Sequence, residues 1–89
     1  MNYQKLDAAL AMAVSEVEDP QEPSLVVFIH TDNLDTQAIT FLNRLGIKGV
    51  TNNTDIYTAT VSSSTVSELS QQPWVKSIKL SQKLRLVKS

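Results

Sequence analysis

Ser24-Leu25-Val26-Val27-Phe28-Ile29-His30 decides how this chain folds. Five consecutive apolar residues, most of them β-branched or aromatic, read as a strand covered on both faces or nearly so. Thr31-Asp32-Asn33 then offers capping residues, and Leu34, Ala38, Ile39, Phe41, Leu42 and Leu45 recur at the spacing of one helical face. Gly46 follows directly, where a helix end favours a residue able to take a left-handed conformation.

Further along, Ile47 to Thr51 reads as a short strand and Asn52-Asn53-Thr54-Asp55 as a turn, because Asn and Asp tolerate positive φ. Ile56-Tyr57-Thr58-Ala59-Thr60-Val61 alternates between two faces, so this pair of strands reads as a hairpin. Ser62-Ser63-Ser64-Thr65 is a run of capping residues, with Thr65 and Glu68 at the spacing of a capping box, and it opens a short helix with Val66 and Leu69 inward and Pro73 as its stop. Trp74 to Leu80 is the last strand of the unit. Before the decisive run, Tyr3, Leu6, Leu10, Ala13, Val14 and Val17 make one stripe of a helix with Asn2 as N-cap. Glu18-Asp19-Pro20-Gln21-Glu22-Pro23 ends that helix, since its prolines cannot continue it.

The order is a helix, then β-α-β-β-α-β, then a tail. The expected fold is α+β, a ferredoxin-like antiparallel sheet with two helices on one face and an added N-terminal helix. Residues 1–23 would be helix and acidic linker, 24–80 the folded unit and 81–89 a C-terminal arm. If Val26 and Phe28 meet the two helices, Leu25, Val27 and Ile29 face the other way. That second face would meet the N-terminal helix, a partner or a second copy of the chain, because a large exposed apolar patch marks an interface.

Composition narrows the function classes. Eighty-nine residues suit one domain. The absence of cysteine excludes disulfides, thiolate zinc sites and a cysteine nucleophile. No apolar run approaches the ~18 residues of a membrane helix, and no signal peptide is visible, so a cytoplasmic location is expected and a membrane partner is not. Seven of nine acids precede residue 36, whereas five of eight bases follow Glu68. The two segments either lie near each other, stay solvated, or present the basic tail to an acidic partner. Nucleic acid is not an expected partner, because no aromatic residue interleaves with those bases and the net charge is −1.

Catalysis has little to build on. His30 is the only imidazole, and no serine sits in a Gly-x-Ser-x-Gly turn. Asp32 and Asp35 read as charges favoured at a helix N-terminus rather than as an acid–base pair. Gly46 and Gly49 have no Lys-Ser/Thr at the spacing of a phosphate loop. No catalytic residue, metal site or cofactor is therefore expected.

Residues 24–80 resemble the propeptide (inhibitor) domain that precedes subtilisin-like serine proteases. The likeness lies in Leu25-Val26-Val27-Phe28-Ile29, in Leu42-Asn43-Arg44-Leu45-Gly46 and in Ile56-Tyr57-Thr58-Ala59-Thr60-Val61. Its strongest part is Val66-Ser67-Glu68-Leu69-Ser70-Gln71-Gln72-Pro73-Trp74-Val75-Lys76-Ser77-Ile78. The resemblance implies a domain that assists folding of its protease and then inhibits it, with the sheet on the protease surface and the C-terminal tail in the substrate cleft. No protease domain follows in this sequence, so the expectation is a free-standing inhibitor or chaperone acting in trans on a subtilisin-like protease. Leu84, Arg85, Leu86, Val87, Lys88 and Ser89 are the candidate arm, and Leu25, Val27 and Ile29 the candidate sheet-face interface. The alternative is an interaction or small-ligand-binding domain on the same scaffold, with sheets packed in a homo-oligomer.

Overall fold

The decisive run is the central strand. In the computed structural model, which describes residues 1–47 and 55–84, β1 (Leu25–Thr31) lies between β2 (Ile56–Val61) and β3 (Val75–Lys83), antiparallel to both. Three α-helices, α1 (Ala8–Glu16), α2 (Thr36–Arg44) and α3 (Ser63–Ser70), complete an α+β domain. The sheet is not the full four-stranded one expected. It has three strands among the described residues, and the strand expected at 47–51 lies outside them from residue 48 on, as does most of its turn.

Alternation along β1 sets the layers. Leu25, Val27 and Ile29 are wholly buried, in one cluster with Leu10 and Ala13 of α1, Ala38 and Leu42 of α2, and Val66 and Leu69 of α3. All three helices therefore pack on the side that these odd-numbered residues face. Sequence reasoning had α2 and α3 on the Val26 and Phe28 side, which is reversed; the N-terminal helix it offered as a cover for Leu25, Val27 and Ile29 does pack there, beside the other two.

Local chemistry explains the boundaries. Asp35 caps α2, its Oδ1 accepting the Ala38 N–H at 2.8 Å, and Gly46 at φ 84° turns the chain out. Ser62 rather than Thr65 caps α3, accepting the Thr65 N–H at 3.2 Å, so the expected Thr65–Glu68 box lies inside the helix. The N-terminal helix is also shorter than its stripe suggests. Asn2 caps only a 3-10 turn at Tyr3–Lys5, after which Leu6 leaves the helix and pairs with Ile78 in a parallel bridge.

Asp7 makes that break. One carboxylate oxygen accepts the Leu10 N–H at 2.9 Å as the cap of α1 and the Leu80 N–H at 3.3 Å from the outer edge of β3. Its own N–H donates to the Ile78 carbonyl at 3.2 Å. Asp7 therefore opens α1 and closes part of the edge of the sheet. Nearby, Lys83 pairs with Glu16 at 3.1 Å, which brings the basic end of the chain against the acidic beginning. Both side chains are largely exposed, so this pair adds little to stability.

Replacing Asp7 with Ala should destabilise the fold by about 1–2 kcal/mol, the scale of a lost N-cap. The melting temperature should fall by roughly 5–10 °C. Asp7→Asn, which can still cap, should recover most of the loss in a thermal circular-dichroism comparison.

Candidate functional site

The even-numbered side chains of β1 build the one sheet face that no described helix covers. Cross-strand register arranges it in three rows: Thr60, Val26 and Gln82; Thr58, Phe28 and Lys79; Ile56, His30 and Ser77. Phe28 at the centre is 37% exposed and Ile56 at the corner 49%. Fully burying a Phe or Ile side chain is worth about 1.5–3 kcal/mol, so two such residues left open on one face are suited to contact with another molecule. Lys79 lies beside Phe28 in the middle row. β3 has register shifts at both ends of this face, opposite the Val26/Val27 and His30/Thr31 steps. These bulges place extra residues at its margin.

At the His30 end the face opens into a basin of about 340 Å³ lined by His30, Asp32, Asp55, Lys76 and Ser77. No hydrogen bond joins His30 to Ser77, Asp32 or Asp55 among the described residues, so there is no nucleophile–base–orienter chain of the kind acyl transfer uses. No group of three His, Cys, Asp or Glu residues there is placed to hold a metal ion. Asp35 is committed to capping α2. The basin offers mixed charge and hydrogen-bonding groups at the margin of an apolar surface.

The structure revises the expected interface. Leu25, Val27 and Ile29 have no exposed surface and hold the core together; on the open face Phe28 and Ile56 are exposed and Val26 and His30 half-buried. Polarity does not mark this phase in the sequence: His30 shares a parity with Val26 and Phe28, but Thr31, also polar, is buried on the core side. The expected arm is revised at its root as well. β3 runs three residues beyond Leu80, and the Leu84 N–H donates to the Ser24 carbonyl at 2.8 Å. Leu84 is thus half-buried and tied to the sheet, while Arg85, Leu86, Val87, Lys88 and Ser89 lie outside the described residues. No described helix is long and apolar enough to cross a membrane.

Compared with protein-family models, with curated proteins and with solved structures, the chain matches none.

Two β1 substitutions should separate the two faces. Leu25→Ala should cost about 2–5 kcal/mol, as expected for a wholly buried leucine. Phe28→Ser should change stability by about 1 kcal/mol or less, because much of that ring already meets water. Urea unfolding midpoints measure both, and the reverse ranking would place the core on the opposite face.

Proposed function

We propose that this chain is a non-catalytic protein-binding module that docks through the open face of its sheet. The observation that carries this reading is the exposure of Phe28 and Ile56 on a face that none of the three helices covers. The scaffold is read as ferredoxin-like. A central first strand and helices gathered on one side support this. On that reading the partner is a subtilisin-like serine protease. Its support is the resemblance of residues 24–80, and the module acts as an inhibitor or folding chaperone in trans.

Area explains why such a module would need two points of attachment. Three strands about 4.8 Å apart and about 20 Å long present a footprint on the order of 300 Å². Stable interfaces bury about 800 Å² per partner. The same shortfall weighs against a homo-oligomer held by these sheet faces alone. On this reading residues 85–89, which lie outside the described residues, supply the second attachment by adding main-chain hydrogen bonds to a cleft edge. Leu84, fixed to Ser24 at 2.8 Å, anchors that segment to the rigid part of the domain, which raises its effective concentration at the cleft.

The test is a subtilisin-like protease assay with the full chain, a form ending at Leu84, and Phe28→Glu. Full-length protein should inhibit. Removing residues 85–89 should weaken inhibition tenfold or more, about 1.4 kcal/mol, and leave the circular-dichroism spectrum unchanged. Phe28→Glu should weaken it independently, by placing a charge at the centre of the docking face. Equal potency of full and shortened forms would remove the arm from the mechanism, and no inhibition by the full chain would remove the protease as partner.

A further inference from the structure

On the helical side of the molecule, away from the open sheet face, two segments far apart in sequence wall a groove of about 410 Å³. One wall is α2, and the other is the turn through Pro73 and Trp74 that enters β3. The size falls within the ~300–1,000 Å³ of small-ligand sites. Its floor is aromatic: Phe41 and Trp74 meet edge to face, with ring centroids 5.7 Å apart and planes inclined at 68°.

Both walls are fixed by hydrogen bonds. The Gln72 carbonyl accepts from Lys5 Nζ at 2.6 Å and from the Val75 N–H at 3.1 Å. The Trp74 carbonyl accepts the Asp32 N–H at 2.9 Å. Opposite them, the Asp35 cap holds the first turn of α2. A groove held in shape loses little freedom when filled, which favours short ligands that contribute few contacts.

The ends of the groove carry opposite charges. Arg44 lies over Phe41, its guanidinium carbon 5.6 Å from the ring centroid, and makes no ion pair among the described residues. Asp35 lines the other end and uses Oδ1 for its cap. The two positions are nine apart, a backbone rise of about 13 Å at ~1.5 Å per residue, and Arg44 leans back over Phe41 toward Asp35. An extended peptide of about three or four residues covers such a span.

We propose that this groove binds short peptides with free termini, the carboxylate on Arg44, the ammonium toward Asp35 and an apolar side chain on the Phe41–Trp74 edge. A guanidinium can hold a carboxylate through two parallel hydrogen bonds, which makes the C-terminus the stronger anchor. A phosphorylated ligand fits less well, since among the described lining residues Arg44 is the one cation and Asp35 lies at the other end. This site shares no residue with the docking face, so either can fail without the other.

Trp74 is the only tryptophan of the chain, so its fluorescence reports on this groove. The probe is the tetrapeptide Ala-Leu-Leu-Ala with free termini, titrated beside its C-amidated form. The free peptide should give a saturable change, and the amide should bind about tenfold more weakly, the scale of one lost charge-assisted pair. Arg44→Gln, an exposed substitution whose folding circular dichroism checks, should bind both forms equally. Phe28→Ser, on the opposite side of the sheet, should leave the titration unchanged. No saturable change up to millimolar peptide, an amide that binds as tightly as the free acid, or a preference that survives in Arg44→Gln would each overturn the proposal.

Discussion

Leu25, Val27 and Ile29, wholly buried on one face of the central strand, are the contact against which every helix is placed. A strand hydrogen-bonded on both sides cannot rotate to choose its face, so this parity commits its neighbours. Opposite these residues, Val61, Ala59 and Tyr57 of β2 turn inward, as do Leu80 and Ile78 of β3. Shifting the register of one strand by a single residue would exchange the core set for the exposed one. The open face with Phe28 and Ile56 is thus the other half of the pattern that makes the core. Packing and docking surface have one origin, and neither can be changed in β1 without reference to the other.

The helices follow from that face together with their caps. Asp7, Asp35 and Ser62 each place a side-chain oxygen on a backbone N–H three residues ahead, at 2.9, 2.8 and 3.2 Å. Those bonds satisfy donors that the first turn of a helix leaves unpaired. Where the chain must leave a helix without lengthening it, Gly46 takes a positive φ and nothing crowds the position of its absent Cβ. The Pro73–Trp74 turn is tied to the β1–α2 connection through Asp32 and to the N-terminal segment through Lys5. The groove beside α2 therefore depends on contacts drawn from three separate parts of the sequence.

Legibility varied with how far each feature depends on distant residues. α2 was legible in its stripe and its glycine exit, which are local, but it starts at Asp35 rather than at the expected caps Thr31-Asp32-Asn33, which leaves Leu34 outside the helix. Val66 and Leu69 were legible for the same reason, although their helix starts at Ser62 rather than Thr65. The face of β1 was not, since five apolar residues in a row carry no phase of their own, and the polar pair at their end, His30 and Thr31, points to both sides. The break at Leu6 was hidden because Leu6 fits the helical stripe equally well, and its pairing with Ile78 spans most of the chain. The extra length of β3 was hidden by its composition: Ser81, Gln82 and Lys83 look like a solvated tail until β1 supplies their ladder partners. The groove had no sequence signature, because Phe41 and Trp74 come together only after folding.

The double use of Asp7 has a consequence for how the chain is made. The N-terminal segment leaves the ribosome first, yet its partners Ile78 and Leu80 are among the last described residues to be synthesised. β1 has no described neighbour until β2 is complete, and its second neighbour arrives later still. The nascent chain therefore carries its most apolar strand without a described neighbour until β2 is complete at Val61, and cooperative closure waits for the end of β3. Contacts of such long sequence separation slow folding, since chain entropy is lost before they form. An unpaired strand is also an aggregation hazard. The acidic segment from Glu16 to Glu22, which immediately precedes β1, places like charges beside that strand on every nascent copy. Electrostatic repulsion between copies is thus the protection available before the sheet exists.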